Sequence, residues 1–501
     1  MRARTTAKPD MLVAMTWFLI LLHVALVLIF GLRILLRDDL RSDVRMGWLA
    51  VVVLVPYASC VLYYLFGEVA LRRHGAGQYV KVRDFARAHF GSAQQAQSVM
   101  GQPGMVAQQI APKWQPAFGY AASINGFEPM PCHTAELMAD GKAARARMLA
   151  DMDAAQHEIS VLYYIWLDDE TGTAVAQALI RAVRRGVVCR AMVDGLGSRA
   201  LVGSALWREM AAAGVHTVVA LPINNLLKVL LTSRIDLRNH RKITLIDGSI
   251  TYSGSQNCAD EAFAVKAKYA PWVDIMLRLQ GPVVAQMQLV FASDWVQSSG
   301  LPYAAIAPLP VPTATPAEPG FSALVIAEGP TERKRSTPDL VSTLLAAART
   351  EVHISTPYFI PDAIVLEALC AASWRGVQVT LILPARNDSW IVGPASRSTY
   401  VQLLQAGVTI YEYRPGLLHA KTLCVDGEVT LIGSTNLDLR SFDLNFENNV
   451  LLQDAATTAT VRARQAAYIS ESNLVTMAQV KAWPWHQRIW NNLLSTLSPI
   501  L

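Results

Sequence analysis

The sequence predicts an α/β protein, with two tandem, similar α/β domains behind an N-terminal hairpin of membrane-spanning helices. Three observations predict it: two long uncharged apolar runs near the start, an alternation of helix and strand patterns beyond about residue 125, and an internal repeat. Hydrophobic residues make up 52% of the 501 and charged residues 17%, with a mean hydropathy of +0.27. A disordered polymer is excluded, since it would be more charged and less apolar. The net charge of +5, from 44 Lys+Arg against 39 Asp+Glu, is too small over this length for a nucleic-acid coat.

After a short tail (1–10), Met11–Leu32 and Met46–Phe66 are runs of 22 and 21 residues without a formal charge. About 20 apolar residues at 1.5 Å each cross a hydrocarbon core of about 30 Å, so each is expected to span. A signal peptide has a shorter apolar region, about 7–15 residues, and no second span after it. Seven basic residues flank the pair (Arg2, Arg4, Lys8, Arg72, Arg73, Lys81, Arg83) against four arginines between the runs, which predicts both ends in the cytoplasm. Cys60, Cys132, Cys189, Cys258, Cys370 and Cys424 form no close pair and no C-x-x-C, so neither a zinc site nor a disulfide framework is expected.

Residues 67–124 read as a connector, polar and rich in Gln, Gly and Ala from Gly75 to Gln115. The first domain is placed at 125–300. There Ala143–Gln156 and Ala174–Arg185 pattern as helices, and Glu158–Ile165 and Val187–Val193 as strands of a sheet covered on both faces. Six prolines between Leu301 and Gly320 mark a linker, and the second domain fills 321–501. The repeat ties the domains together. Glu158–Asp169 matches Glu351–Asp362 at an offset of 193, as Ala213–Val215 matches Ala406–Val408; His240 and His419 then match at 179. The first domain therefore carries 14 extra residues within Leu221–Leu237. Its Leu226, Leu227, Val229, Leu230 and Leu231 are expected either to line or shield the entrance to a site or to pack on the core as a surface helix.

The chemistry lies in what repeats at the 179 offset. His240-x-Lys242, Asp247, then Gly254-Ser255-x-Asn257 is matched by His419-x-Lys421, Asp426, then Gly433-Ser434-x-Asn436. His and Lys two apart on a strand share a face, so an imidazole and an ammonium meet one anion. Asp-Gly then turns the chain into a return strand that ends at the Ser and Asn donors. Two such faces suit a phosphodiester. One histidine attacks phosphorus, the other protonates the departing alkoxide, and Lys and Asn stabilise the phosphoryl oxygens, with no metal required.

This duplicated H-x-K-x(4)-D-x(6)-G-S-x-N pattern resembles the phospholipase D superfamily, and both copies match it without a departure. The resemblance implies one active site between two α/β domains and a phosphohistidine intermediate. It implies a catalytic set of His240, Lys242, Asp247, His419, Lys421 and Asp426, the aspartates positioning the site. Ser255, Asn257, Ser434 and Asn436 bind or orient the phosphate group, while Asp274 and Glu447 look like the acids that orient the histidines. Further features resemble bacterial cardiolipin synthases: the two spans, Tyr63–Gly67, the RIDLRNHRK leading into the first motif, Thr356–Asp362, Asp260-Glu261 and the final LSPIL. Membership implies phosphatidyl transfer between two phosphatidylglycerols, with glycerol released, in a bacterial inner membrane. His240 is the expected nucleophile and His419 the acid/base. The partners expected are membrane phospholipids, with no nucleic acid and no cofactor; a phospholipase-type hydrolysis is the alternative. No P-loop is present, as an exchange of diesters requires no nucleotide. Trp483, Trp485 and Trp490 are expected to pack in the core, an interfacial segment with indoles at headgroup depth being the alternative.

Overall fold

A computed structural model describes residues 7–38, 40, 42–67, 81–89, 99–101, 109–223, 236–302 and 320–497. The chain divides into an N-terminal helical unit and a larger unit. The five apolar residues named in the 14-residue insertion lie outside the described residues, as do half of the connector and most of the proline-rich linker.

In the N-terminal unit, helix α1 (Ala7–Leu35) contains Val13–Leu35, a stretch long and apolar enough to cross a membrane. The second run differs from expectation. It is helix α2 (Ser42–Leu54) followed by helix α3 (Pro56–Leu62), which ends in a π turn over Tyr63–Gly67. Pro56 removes one N–H and drives its predecessor out of the helical region, leaving Val55 at φ −137°, ψ 61°. There the chain doubles back, so the rings of Trp48 and Tyr63 lie 5.1 Å apart; a straight helix would separate them by about 22 Å. Both ends of the doubled segment meet near Arg37, whose guanidinium donates to the carbonyl of Gly67 while Arg45 donates to the carbonyl of Arg37 at 2.7 Å.

The larger unit holds two mixed sheets. The first runs Thr134–Leu137, Met276–Gln280, Ile250–Gly254, Lys242–Ile246, Glu158–Tyr163, Val188–Asp194, His216–Ala220. The second repeats that order as Phe321–Glu328, Asn445–Gln453, Val429–Gly433, Thr422–Val425, Glu351–Ser355, Gln378–Pro384, Thr409–Tyr413, with a further strand at each edge. The repeat read from sequence is thus a repeat of topology. The helices Gly141–Ala154 and Glu170–Arg184 cover one face of the first sheet. Its other face joins the helix Val284–Ser299 and the second sheet in one continuous core. The domain boundary at 125 is less clean than expected, because Met130–Cys132 pairs with Phe321–Ala323 of the second sheet. Part of the connector belongs there too. The helix Gln115–Asn125 follows Trp114, whose Nε1 donates to Glu428 at 2.8 Å, and Asn125 donates to the carbonyl of Ala327 at 2.8 Å.

The motif aspartates do not stand among the catalytic groups. Each follows its motif lysine by five residues, about 16 Å along the strand. Asp247 and Asp426 take positive φ of 50° and 52° ahead of Gly248 and Gly427, the conformation of a tight hairpin turn. Their carboxylates clasp the start of the neighbouring strand. Asp247 accepts from the N–H groups of Gln156, His157 and Glu158 at 2.7–2.9 Å; Asp426 accepts from those of Arg349, Thr350 and Glu351. Burial alone would raise the Asp426 carboxyl, but these donors outweigh it and hold the group below the usual carboxylate range. Its stabilisation is therefore complete above about pH 4 and is lost as pH falls through the depressed value. Asp426→Ala should cost about 1–3 kcal/mol by orphaning these donors. A lowered thermal midpoint with turnover per folded molecule retained is expected; lost turnover at full stability would return the residue to the catalytic set.

Candidate active site

The two motif histidines are brought together by an exchange between the halves. Arg238-Asn239, just before His240, pairs in parallel with Asn445-Phe446, just before Glu447. In the mirror arrangement Leu417-Leu418, before His419, pairs with Trp272-Val273, before Asp274. Each histidine N–H then bonds the carbonyl of its partner dipeptide, His240 to Phe446 at 2.9 Å and His419 to Val273 at 2.8 Å. This register sets His240 Nδ1 2.9 Å from Glu447 Oε2, and His419 Nδ1 2.5 Å from Asp274 Oδ1. Each of the two acids named from the sequence thus stands against the histidine of the other half.

A carboxylate on Nδ1 fixes the tautomer that carries its proton there and leaves the lone pair on Nε2. The carboxylates are themselves held by the motif serines, Ser255 donating to Asp274 at 2.6 Å and Ser434 to Glu447 at 2.5 Å. The serines therefore orient the acids instead of reaching for phosphate. Gly254 and Gly433 are required for this approach, since a Cβ on either would collide with the carbonyl of Ile275 or Asn448. Asn257 Oδ1 accepts from the N–H of Ile165 at 3.2 Å, which leaves its amide nitrogen as the end to donate. Asn436 is buried beside Ser441, at 3.3 Å from Nδ2.

Lys242 and Lys421 are 1% and 3% exposed, and each donates to the carbonyl of its own motif histidine, at 2.5 and 2.7 Å. Burial brings Lys242 down to about 7 and Lys421 to about 8, against the pull of Glu447 and Asp274. The histidines are lowered as well, first by burial and then by the lysines. His240 feels Lys242, Lys421 and His419 together, so all four groups act on one space. The rings of Tyr164 and Trp272 pack against His240 and His419, each at 4.8 Å between centroids. Four nitrogen groups buried at one place, with two acids behind the histidines, form a receptacle for an anion.

Two contributors were absent from the sequence reading. Arg241, between His240 and Lys242, is buried and stitches the halves. It bonds Asp294 at 2.5 Å and donates to the carbonyls of Glu447 and Glu328, both at 3.0 Å. Glu328 lies directly across the sheet from Glu447 and accepts from Thr435 at 2.8 Å and Asn449 at 3.1 Å. Burial raises it to about 7. Asp274 has no such neighbour, because the strand Thr134–Leu137 ends opposite Leu277. The only sequence signal for either residue is a charge inside an apolar strand pattern.

A family profile described as "Cardiolipin synthase, PLD-like domain" matches residues 148–295 and 341–467. One described as "Phospholipase_D-nuclease N-terminal" matches residues 17–68. The cardiolipin synthase A of Klebsiella pneumoniae (strain 342) is 35% identical over 489 residues, 97% of this chain and 98% of the relative. That of Serratia proteamaculans (strain 568) is 34% identical with the same coverage. Among solved structures, the phosphatidylserine synthase of Haemophilus influenzae superposes with a TM-score of 0.58 at 14% identity, covering 78% of this chain and all of that one, a likeness of fold. The paired motifs, the repeated sheets and the full-length similarity agree, and the chain belongs to the cardiolipin synthase family of the phospholipase D superfamily.

Proposed function

We propose that this protein transfers the phosphatidyl group of one phosphatidylglycerol to a hydroxyl of another, giving cardiolipin and glycerol. The observation that carries the reading is the 97% coverage by cardiolipin synthase A relatives, anchor included, because the His–Lys site alone suits a hydrolase equally. His240 Nε2 attacks phosphorus and the bond to the glycerol oxygen breaks, that oxygen taking a proton from His419. The acceptor hydroxyl then gives its proton to His419 and attacks the phosphohistidine, freeing His240. The environments support this division. Asp274, held at about 2 by His419, Lys421 and Ser255 against the effect of burial, stays anionic and favours the imidazolium of His419. Glu447 is raised by burial, and His240 lies well below the ordinary histidine range, as a neutral nucleophile requires.

Membranes containing the protein and labelled phosphatidylglycerol should yield cardiolipin plus glycerol. Phosphatidic acid as the main product would replace transfer with hydrolysis. His240→Ala and His419→Ala should each abolish turnover, and labelled phosphate should be trapped on His240 alone; label trapped on His419 would reverse the roles.

Because the lysines act as cations, kcat/KM should fall as pH rises through about 7 to 8, where the free enzyme loses these protons. A bound phosphodiester anion holds them on, so the alkaline limb of kcat should lie higher. Coincident limbs in the two profiles would argue against a lysine origin.

The larger unit faces the cytoplasm of a bacterial cell, anchored in the inner membrane. With the second run doubled back at Pro56, its end at Gly67 returns beside Arg37, at the same end of α1 as Arg33 and Arg45. The positive-inside rule then places the larger unit inside and the N-terminal tail outside, in place of both ends inside. A protease site added at the N-terminus should be cut in intact spheroplasts; protection there would restore two full crossings.

A further inference from the structure

The C-terminal helix Trp485–Leu497 is fastened on one edge and bare on another. Asn491 and Leu494 are buried, and Leu494 packs with Ile360 and Ala395. The next face exposes Trp485 (73%), Ile489 (57%) and Leu493, an i, i+4, i+8 stripe, with Trp490 at its border. Trp390, 69% exposed on a separate loop, stacks on Trp490 with centroids 6.3 Å apart and widens the apolar surface. Of the three tryptophans expected in the core only Trp483 packs there, against Tyr400.

Such a surface needs an occupant, and its charges choose one. Between Met477 and Leu497 there are Lys481, His486 and Arg488 and no acidic residue, and Arg386 is exposed four residues before Trp390. Indoles beside cations on an amphipathic helix match the boundary between headgroups and acyl chains of an anionic bilayer. The position matters for substrate. Ile360, under Leu494, belongs to the two-residue strand that pairs with Leu437-Asp438, immediately after the motif Asn436. A bilayer held on this helix is held next to the strand that leaves the active site.

We infer that the helix Trp485–Leu497 and Trp390 form a second membrane contact, which lays the active-site unit on an anionic phospholipid surface beside its substrate. The inference rests on the membrane reading above only in requiring a bilayer. The full chain is reconstituted in phosphatidylglycerol-rich vesicles with a nitroxide on Ile489→Cys; the native cysteines are buried, which directs the label. The same label on Thr460→Cys, exposed on another helix, gives the aqueous reference. At position 489, collisions with oxygen should rise and those with a water-soluble nickel complex should fall severalfold below the reference. Nickel collisions equal to the reference overturn the proposal, since the face is then bare. Low collisions with both reagents overturn it too, because a protein partner or a second copy then covers the helix. The triple variant Trp485→Ser, Ile489→Ser, Leu493→Ser should raise the lipid concentration for half-maximal rate on vesicles severalfold. Turnover kept in detergent micelles reports an intact fold; an unchanged vesicle requirement would overturn the proposal. The label reads depth without turnover, so its failure leaves the assignment of reaction untouched.

Discussion

The exchanged bonds from His240 to Glu447 and from His419 to Asp274 are what the rest of the larger unit serves. Each histidine stands on one half and the acid that fixes its tautomer on the other. Neither half alone could hold an oriented imidazole. The short parallel pairings set both side chains of each pair at one register, so a slip of one residue would turn histidine and acid to opposite faces. The repeated sheet order then reads as a consequence, since two copies of one topology packed face to face deliver equivalent strand ends to the same place. Arg241 adds a lock by tying its guanidinium to two carbonyls of the opposite half.

Burying two lysines and two histidines together opposes folding, and their lowered proton affinities express that opposition. The two acids that touch the histidines are both engaged on the Nδ1 side of the rings. The positive side of the site is therefore left facing the reaction space, where a phosphodiester supplies the missing charge. Such a site binds its substrate partly because the empty site is electrostatically unsatisfied.

Much of this was legible in sequence, and the gaps have physical causes. The repeat, the motif pairs and the Asp-Gly turns follow from local periodicity and spacing, and the acids Asp274 and Glu447 from the family resemblance. The exchange does not, because pairing between residues about 145 and 207 positions apart leaves no trace in either segment. Asp247 and Asp426 share the motif's regularity with the catalytic groups, yet it is the regularity of a strand clasp. Pro56 was visible inside an apolar run, and composition alone said length where backbone chemistry said reversal. Trp485 and Trp490 were read as core by residue type, although an aromatic on a terminal helix is buried only if something lies over it.

A duplicated site has one further problem to solve. Two identical histidines in identical surroundings would compete to attack and to protonate, while the reaction requires one of each. Here the symmetry is broken behind the first shell of contacts. Glu447 lies opposite Glu328 across the sheet, in full burial; its charge adds to burial in raising Glu328, while burial itself raises Glu447. Asp274 lacks that neighbour and sits beside Lys421 as well as His419, so it remains an anion. An anionic partner supports an imidazolium and hence proton transfer; a partner of diminished charge leaves a neutral ring with its lone pair available. Under the proposed roles, the division of labour between His419 and His240 would follow from the anionic Asp274 behind one ring and the raised Glu447 behind the other.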